Sequence, residues 1–167
     1  MVAQGQRPFE DRDRRRSGRE RQRLIPRSAA GVTKASFHAN AAAMVQLFLV
    51  MAGGAVGTAA RYLVGRGAVA AFGPLFPYGT LAVNLIGGFA MGVLMGVLAR
   101  VGGTENTRLL LGVGVLGGFT TFSSFSLEVV TMVERDAWMT ALGYVLASVL
   151  GAVLALFAGL WLTRIAA

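Results

Sequence analysis

The chain has 167 residues, of which 54% are hydrophobic and 14% are charged, and it carries a formal net charge of +8. This composition excludes an ordinary soluble domain and favours a small protein that crosses the membrane several times. The sequence has no cysteine, which excludes disulfides, thiolate metal sites and thiol nucleophiles.

Residues 1–43 differ in character from the rest of the chain. They hold ten of the sixteen Lys and Arg residues and four of the eight Asp and Glu residues, and they show no hydrophobic period. We interpret them as a disordered basic leader, because such a segment has too little apolar surface to bury. Arginine-rich tails bind polyanions with little specificity, so a nucleic-acid-tethering protein is one alternative. We nevertheless expect no nucleic-acid partner.

Four apolar runs follow from Met44, and each is close to the roughly 20 residues that a helix needs to cross a bilayer. They span residues 44–64, 78–98, 109–132 and 138–163. The short connections between them contain glycine, proline and nearly all the remaining charges. The sequence therefore predicts an all-α membrane protein whose four-helix transmembrane domain covers residues 44–167.

Small residues recur four positions apart in the first two runs, at Gly53 and Gly57 and again at Gly88, Gly92 and Gly96. This spacing lets helix backbones approach closely in lipid and favours a compact bundle.

The second run, which contains the stretch TLAVNLIGGFAMG, carries an amide side chain at Asn84. An amide near the middle of a membrane helix must be hydrogen-bonded to another residue or be in contact with water. Asn84 is therefore either an interhelical hydrogen-bonding residue or part of a permeation path. Thr80 lies one turn earlier on the same face, which points to a polar track.

The third run contains the stretch GVGVLGGFTTFSSFSLE, in which two adjacent glycines are followed by five hydroxyl side chains. Glycine and the hydroxyl residues weaken a helix, and in lipid the freed backbone groups must be buried in protein or line a polar cavity. We therefore predict a broken third helix that forms an ion or water site.

The same stretch shows two further patterns. Phe119, Phe122 and Phe125 recur three apart, so a helix would gather them on one side, either for packing or for the site. The letters GVGVLG match the dinucleotide-binding pattern G-x-G-x-x-G. We reject that interpretation because no soluble βαβ unit surrounds them.

The fourth run places Tyr144 and Ser148 four apart on one face, where either could make a simple interhelical hydrogen bond. Apart from tyrosine, the only ionisable residues of the four runs are Arg61 and Glu128. Proton-coupled transporters usually carry carboxylates or histidines inside the membrane, and enzyme motifs are missing as well. We therefore expect passive permeation and no enzyme. The alternatives are a small solute or cation carrier and an accessory membrane assembly protein.

Three stretches resemble the Fluc (CrcB) family of bacterial fluoride channels: GTAARY, GTLAVNLIGGFAMG and GVLGGFTTFSSFSLE. The resemblance covers residues 44–162 and implies a passive, fluoride-selective export channel that lowers cytoplasmic fluoride. It also implies a multi-pass protein of the bacterial inner membrane. Such channels are antiparallel, dual-topology homodimers in the lipid, with pores at the subunit interface.

The resemblance implies that Asn84 is the pore asparagine and that Phe122 and Phe125 are the two pore phenylalanines. The edges of their rings are electropositive and suit a partly dehydrated anion. The polar track that it implies consists of Thr80, Ser123, Tyr144 and Ser148.

Further positions match residues with other roles in the family. The backbone carbonyls of Gly117 and Thr120 match a central structural Na⁺ site, and carbonyl oxygens suit a hard cation. Arg61 and Glu128 match residues that we expect to be structural. Ala152 departs from the pattern, because some members carry a hydroxyl at this position.

Basic residues are balanced across the predicted four-helix domain. Orientation follows the Lys and Arg bias of short flanking segments, so we expect this domain to insert both ways. The leader would add positive charge to one side of this domain and would favour a single orientation. We therefore expect Met44 to be the working start, with residues 1–43 an upstream extension of the reading frame or a segment that is removed. One side of the domain carries Arg100, Arg108 and Arg164, and the other carries Arg61, Arg66 and Arg135.

Overall fold

The computed structural model describes the backbone of residues 29–166 and the side chains from residue 39 onwards. Every regular element in this range is helical. The long helices are α1 (Ala29–Phe72), α2 (Tyr78–Val101) and α6 (Trp138–Ile165). Between α2 and α6 lie α3 (Glu105–Thr107), a π-helix (Arg108–Leu116), α4 (Gly117–Phe119) and α5 (Phe122–Glu134).

Four helical segments are long and apolar enough to cross a membrane, and the third of them runs from Glu105 to Glu134 through all the short elements. The prediction of an all-α protein with four spans and a broken third helix is therefore confirmed. The compact unit described below is Met44–Ala167.

The first helix is longer than the sequence predicted. It continues beyond residue 64 to Phe72 and ends where Gly73 takes a positive φ of 79° and Pro74 follows. Glycine accepts this left-handed conformation easily, and proline cannot continue a helix. The helix also includes residues 29–43, which were assigned to a disordered leader but are rich in alanine, the best helix former. Residues 1–28 lie outside the described part of the chain, so for them the leader stays a prediction.

Helices α2 and α6 run parallel and pack with their backbones almost in contact. A methyl group added at Gly88 would lie 2.7 Å from the carbonyl oxygen of Ala152, and one at Gly92 would overlap the carbonyl of Leu156. On α6, Gly159 is equally close to the carbonyl of Phe89. The predicted small-residue packing of the second span is confirmed.

Helix α1 makes the same kind of contact with the π-helix of the third span. A methyl group at Gly53 would overlap the carbonyl of Leu110, and one at Gly57 would overlap the carbonyl of Val115. The predicted role of these two glycines is confirmed as well. Close backbone packing therefore fixes the third span, just before its break, against α1.

Candidate functional site

The break in the third span lies at Thr120 and Thr121, where the backbone becomes extended between α4 and α5. Thr120 has φ −80° and ψ 157°, and Thr121 has φ −150° and ψ 124°. Thr121 begins α5 as its N-cap, since its hydroxyl accepts a hydrogen bond from the backbone N–H of Ser124. A hydroxyl at this position stabilises a helix start.

Asn84 pairs with both backbone groups of Thr121. The Thr121 N–H donates to Asn84 Oδ1 over 2.9 Å, and Asn84 Nδ2 donates to the Thr121 carbonyl over 3.0 Å. Gly87, one turn further along α2, leaves room for the Thr120 methyl group, which a side chain there would strike. Asn84 therefore makes interhelical hydrogen bonds, which is one of its two interpretations; a place in a permeation path stays a prediction. One amide hydrogen and further acceptor capacity of the oxygen remain for another partner.

A surface groove of about 450 Å³ lies beside the break, between α2, α5 and α6. It brings together four of the predicted pore residues: Asn84, Phe122, Phe125 and Ser148. Thr120 also lines it, as does Ala152, where some members of the resembled family carry a hydroxyl.

The two predicted pore phenylalanines differ in exposure. Phe122 is 77% exposed in the single chain, whereas Phe125 is 8% exposed, and their ring centroids lie 5.5 Å apart. Phe119 does not line the groove and lies on the far side of the break, against Gly87. The condition for a shared face, a continuous helix, is not met, because the break at Thr120 and Thr121 interrupts the helical period between Phe119 and the other two rings.

Ser148 is buried, and its hydroxyl has no hydrogen-bond partner among the described residues. An unpaired buried hydroxyl costs about 1–3 kcal/mol, so native proteins seldom leave one without a function. Ser148 lines the groove together with Phe122 and Phe125, so an unused O–H group lies just beneath the groove wall.

Glu128 joins three helices through two short hydrogen bonds. Thr80 Oγ1 on α2 donates to Glu128 Oε1, and the Tyr144 hydroxyl on α6 donates to Glu128 Oε2, each over 2.6 Å. This network fits the structural role expected of Glu128. It also shows that the hydroxyls of Thr80 and Tyr144 already have a carboxylate partner in the single chain.

Tyr144 connects this network to the groove. Its side chain is 1% exposed, and its ring centroid lies 5.3 Å from that of Phe125, which lines the groove. Ser148 follows one turn later on the same helix. On α6, Tyr144 therefore lies at the Glu128 network and Ser148 at the groove, and the polar track that contains them stays a prediction.

The remaining predicted residues lie on another side of the break. Arg61 and Thr80 line a separate cavity of about 280 Å³, together with Thr121 and Ser124. Ser123 is exposed, and its hydroxyl lies 3.3 Å from Thr121 Oγ1 rather than in the groove. Thr121 and Ser124 were not singled out from the sequence, although a threonine just before an apolar run is a recognisable N-cap signal.

Outside the helices, no backbone hydrogen bond from a described residue reaches the carbonyl oxygen of Gly117 or of Thr120. The extended backbone after α4 removes the helical donors that would otherwise reach them. Among the described residues, no cluster of three or more His, Asp or Glu side chains could hold a metal ion. Free carbonyl oxygens suit a hard monovalent cation such as Na⁺, so the donors at the break fit the expected ion.

Comparison with known proteins gives one family and many relatives. The model of the family described as "CrcB-like protein, Camphor Resistance (CrcB)" matches residues 48–160. The chain is 59% identical over 123 residues to the fluoride-specific ion channel FluC of Phenylobacterium zucineum, and 58% identical over 123 residues to that of Caulobacter vibrioides. Each alignment covers 72% of this chain and 97% of the relative. The FluC of Mesorhizobium japonicum is 51% identical over 121 residues, which cover 72% of this chain and 98% of that protein.

Proposed function

Because the chain belongs to the CrcB-like family, which is one of channels and not of enzymes, we propose that it forms a passive channel selective for fluoride. In this proposal the channel exports fluoride and lowers its cytoplasmic concentration. The protein is a multi-pass membrane protein, and we assign it to the inner membrane of a bacterial cell. The observation that carries the proposal is the groove at the break, where Phe122, Phe125 and the unpaired hydroxyl of Ser148 meet.

The groove has the chemistry that a small, strongly hydrated anion requires. A partly dehydrated fluoride ion needs hydrogen-bond donors and positive dipoles to replace lost water. Ser148 supplies an O–H, Asn84 supplies its remaining amide hydrogen, and the edges of the two phenylalanine rings are electropositive. The groove contains no lysine or arginine, so no fixed positive charge traps the ion.

A homodimer would close the groove. In the single chain the groove is open and Phe122 is 77% exposed, although this residue is central to the proposed pore. A second copy packed against this face would convert the groove into a conduit, and each copy would contribute one. The equal numbers of arginines on the two sides of the core support dual topology and therefore an antiparallel pair.

The same dimer would place a structural Na⁺ ion at its centre. We propose that the carbonyl oxygens of Gly117 and Thr120 from the two copies hold this ion, because these oxygens lack donors in the single chain. Na⁺ would supply positive charge and would fix the two breaks against each other, without taking part in transport.

Fluoride efflux from proteoliposomes, followed with a fluoride electrode, tests the proposed function. Purified protein in liposomes loaded with potassium fluoride should release fluoride when valinomycin provides a path for K⁺, and liposomes loaded with chloride should release little chloride. Fluoride release that requires a pH gradient or a co-substrate would indicate a carrier. No release by correctly folded dimer would favour an accessory assembly protein.

A further inference from the structure

The connection between α1 and α2 sends one aromatic side chain back into the helix bundle. Phe76 is partly buried and packs against the apolar cluster of Phe125, Met132, Ala141 and Tyr144. Its neighbour Leu75 is 90% exposed. The connection is held in shape by the left-handed turn at Gly73 and by a 2.8 Å hydrogen bond from the Tyr78 N–H to the Phe76 carbonyl. This short segment therefore directs Phe76 inwards.

Phe76 contacts the Tyr144 ring in an edge-on arrangement. The two ring centroids lie 5.5 Å apart, and the ring planes meet at 81°. This is a favoured aromatic geometry because the positive edge of one ring points at the negative face of the other. An aliphatic side chain of similar volume would fill the space without reproducing the preferred angle.

Tyr144 is held at three points, two on its ring and one on its hydroxyl. Phe76 and Phe125 pack against the ring, with Phe125 at 5.3 Å, and Glu128 accepts the hydroxyl hydrogen over 2.6 Å. The contact with Phe125 continues to Phe122 in the groove. Phe76 is therefore one of four rings in contact that lead from the α1–α2 connection to the proposed pore, and Tyr78 packs beside it with ring centroids 4.7 Å apart.

We propose that Phe76 is a positioning residue for fluoride conduction, which acts by holding the hydroxyl of Tyr144 in place. It touches neither the groove nor the proposed ion path beside Phe122. It packs against the Tyr144 ring and limits how far the whole side chain can swing about its Cα–Cβ bond, which is the motion that would move the hydroxyl away from Glu128. This inference rests on the proposed function and extends the channel machinery to a residue outside the transmembrane helices.

The test compares fluoride efflux from liposomes for Phe76→Leu with that for Leu75→Ala, which changes an exposed side chain in the same connection. The Phe76→Leu channel should conduct roughly two- to tenfold more slowly than the wild type, the range expected from losing one aromatic pair. Leu75→Ala should conduct at the wild-type rate, and Phe76→Tyr, which keeps the ring, should retain most of the flux. Should Phe76→Leu fail to fold, Phe76→Met provides the same comparison with a flexible side chain.

A comparison in the Tyr144→Phe variant separates positioning of the Tyr144 hydroxyl from a general weakening of packing in the core. In Tyr144→Phe channels there is no hydroxyl to position, so adding Phe76→Leu should change the flux no further. An equal fold-reduction in both backgrounds, or wild-type flux in Phe76→Leu, would overturn the inference while leaving the fluoride channel intact. A wild-type protein without fluoride flux would instead refute the proposed function, and the inference would fall with it.

Discussion

Replacing Asn84 by alanine should destabilise the protein strongly, because this side chain satisfies the two backbone groups that the break exposes. The bonds to the Thr121 N–H and carbonyl measure 2.9 and 3.0 Å, and Thr121 is buried at 9% exposure. Because Thr121 is buried, water has little access to replace these bonds. Each buried group left unpaired costs about 1–3 kcal/mol, so the loss should be about 2–6 kcal/mol. That is a large share of the roughly 5–15 kcal/mol that stabilises a typical domain.

The assay is unfolding of the purified protein in mixed micelles, followed by tryptophan fluorescence. Thr58→Ala is the matched control, because the Thr58 hydroxyl donates to the Gly118 carbonyl at an exposed site over 3.5 Å and should contribute about 0.5 kcal/mol at most. Asn84→Asp should also destabilise more than Thr58→Ala, since a carboxylate accepts from the Thr121 N–H but repels its carbonyl oxygen and brings a charge into the membrane. If Asn84→Ala unfolded at the same denaturant concentration as Thr58→Ala, Asn84 would not hold the break together.

Three other expectations concern the ring, the packing and the cation. Phe122→Ile keeps the bulk of the side chain but removes the ring edge, so fluoride efflux should fall roughly tenfold while the unfolding midpoint stays unchanged; wild-type efflux would remove Phe122 from the pore. Gly57→Ala should destabilise the fold by about 1–3 kcal/mol, because the added methyl overlaps the Val115 carbonyl, whereas Gly54→Ala meets nothing within 4 Å and should be nearly neutral. Replacing Na⁺ by N-methylglucamine should lower the melting temperature of the proposed dimer, and an unchanged melting temperature would contradict the proposed cation site.

The break itself could be predicted from the sequence, but the contacts that hold it could not. Adjacent glycines followed by hydroxyl residues weaken a helix wherever they occur. The break in the third span is therefore a property of the local sequence. The pairing of Asn84 with Thr121 joins residues 37 positions apart in sequence. It depends on the register between two packed helices, which no local pattern contains.

The end of the first helix and the positions of the phenylalanines also could not be predicted from local sequence patterns. Gly65 and Arg66 suggested a connection, yet the helix continues to Phe72, and Arg66 lies over the Tyr62 ring at 5.9 Å within the same helix. Phe119 shares the sequence period of the other two phenylalanines but is separated from them by the break. A periodic pattern predicts a shared face only when the backbone is regular throughout.

Phe76 gave no signal in the sequence, because it lies in a connection rich in glycine and proline. Its importance follows from the ring of Tyr144, which approaches it only in the folded bundle. The close packing of helices at glycines, in contrast, could be predicted from the sequence. The recurrence of glycine every four residues is both the sequence signal and the physical cause of close backbone contact.

The most direct test of the channel is the reversal potential of the current across a planar bilayer that contains the protein. With a tenfold fluoride gradient and equal chloride on both sides, a passive fluoride-selective pore should reverse at the fluoride equilibrium potential, about 59 mV for a monovalent ion. The potential should not move when a pH gradient is imposed. A current that reverses near zero, or that follows the chloride or Na⁺ gradient, would contradict a passive fluoride channel.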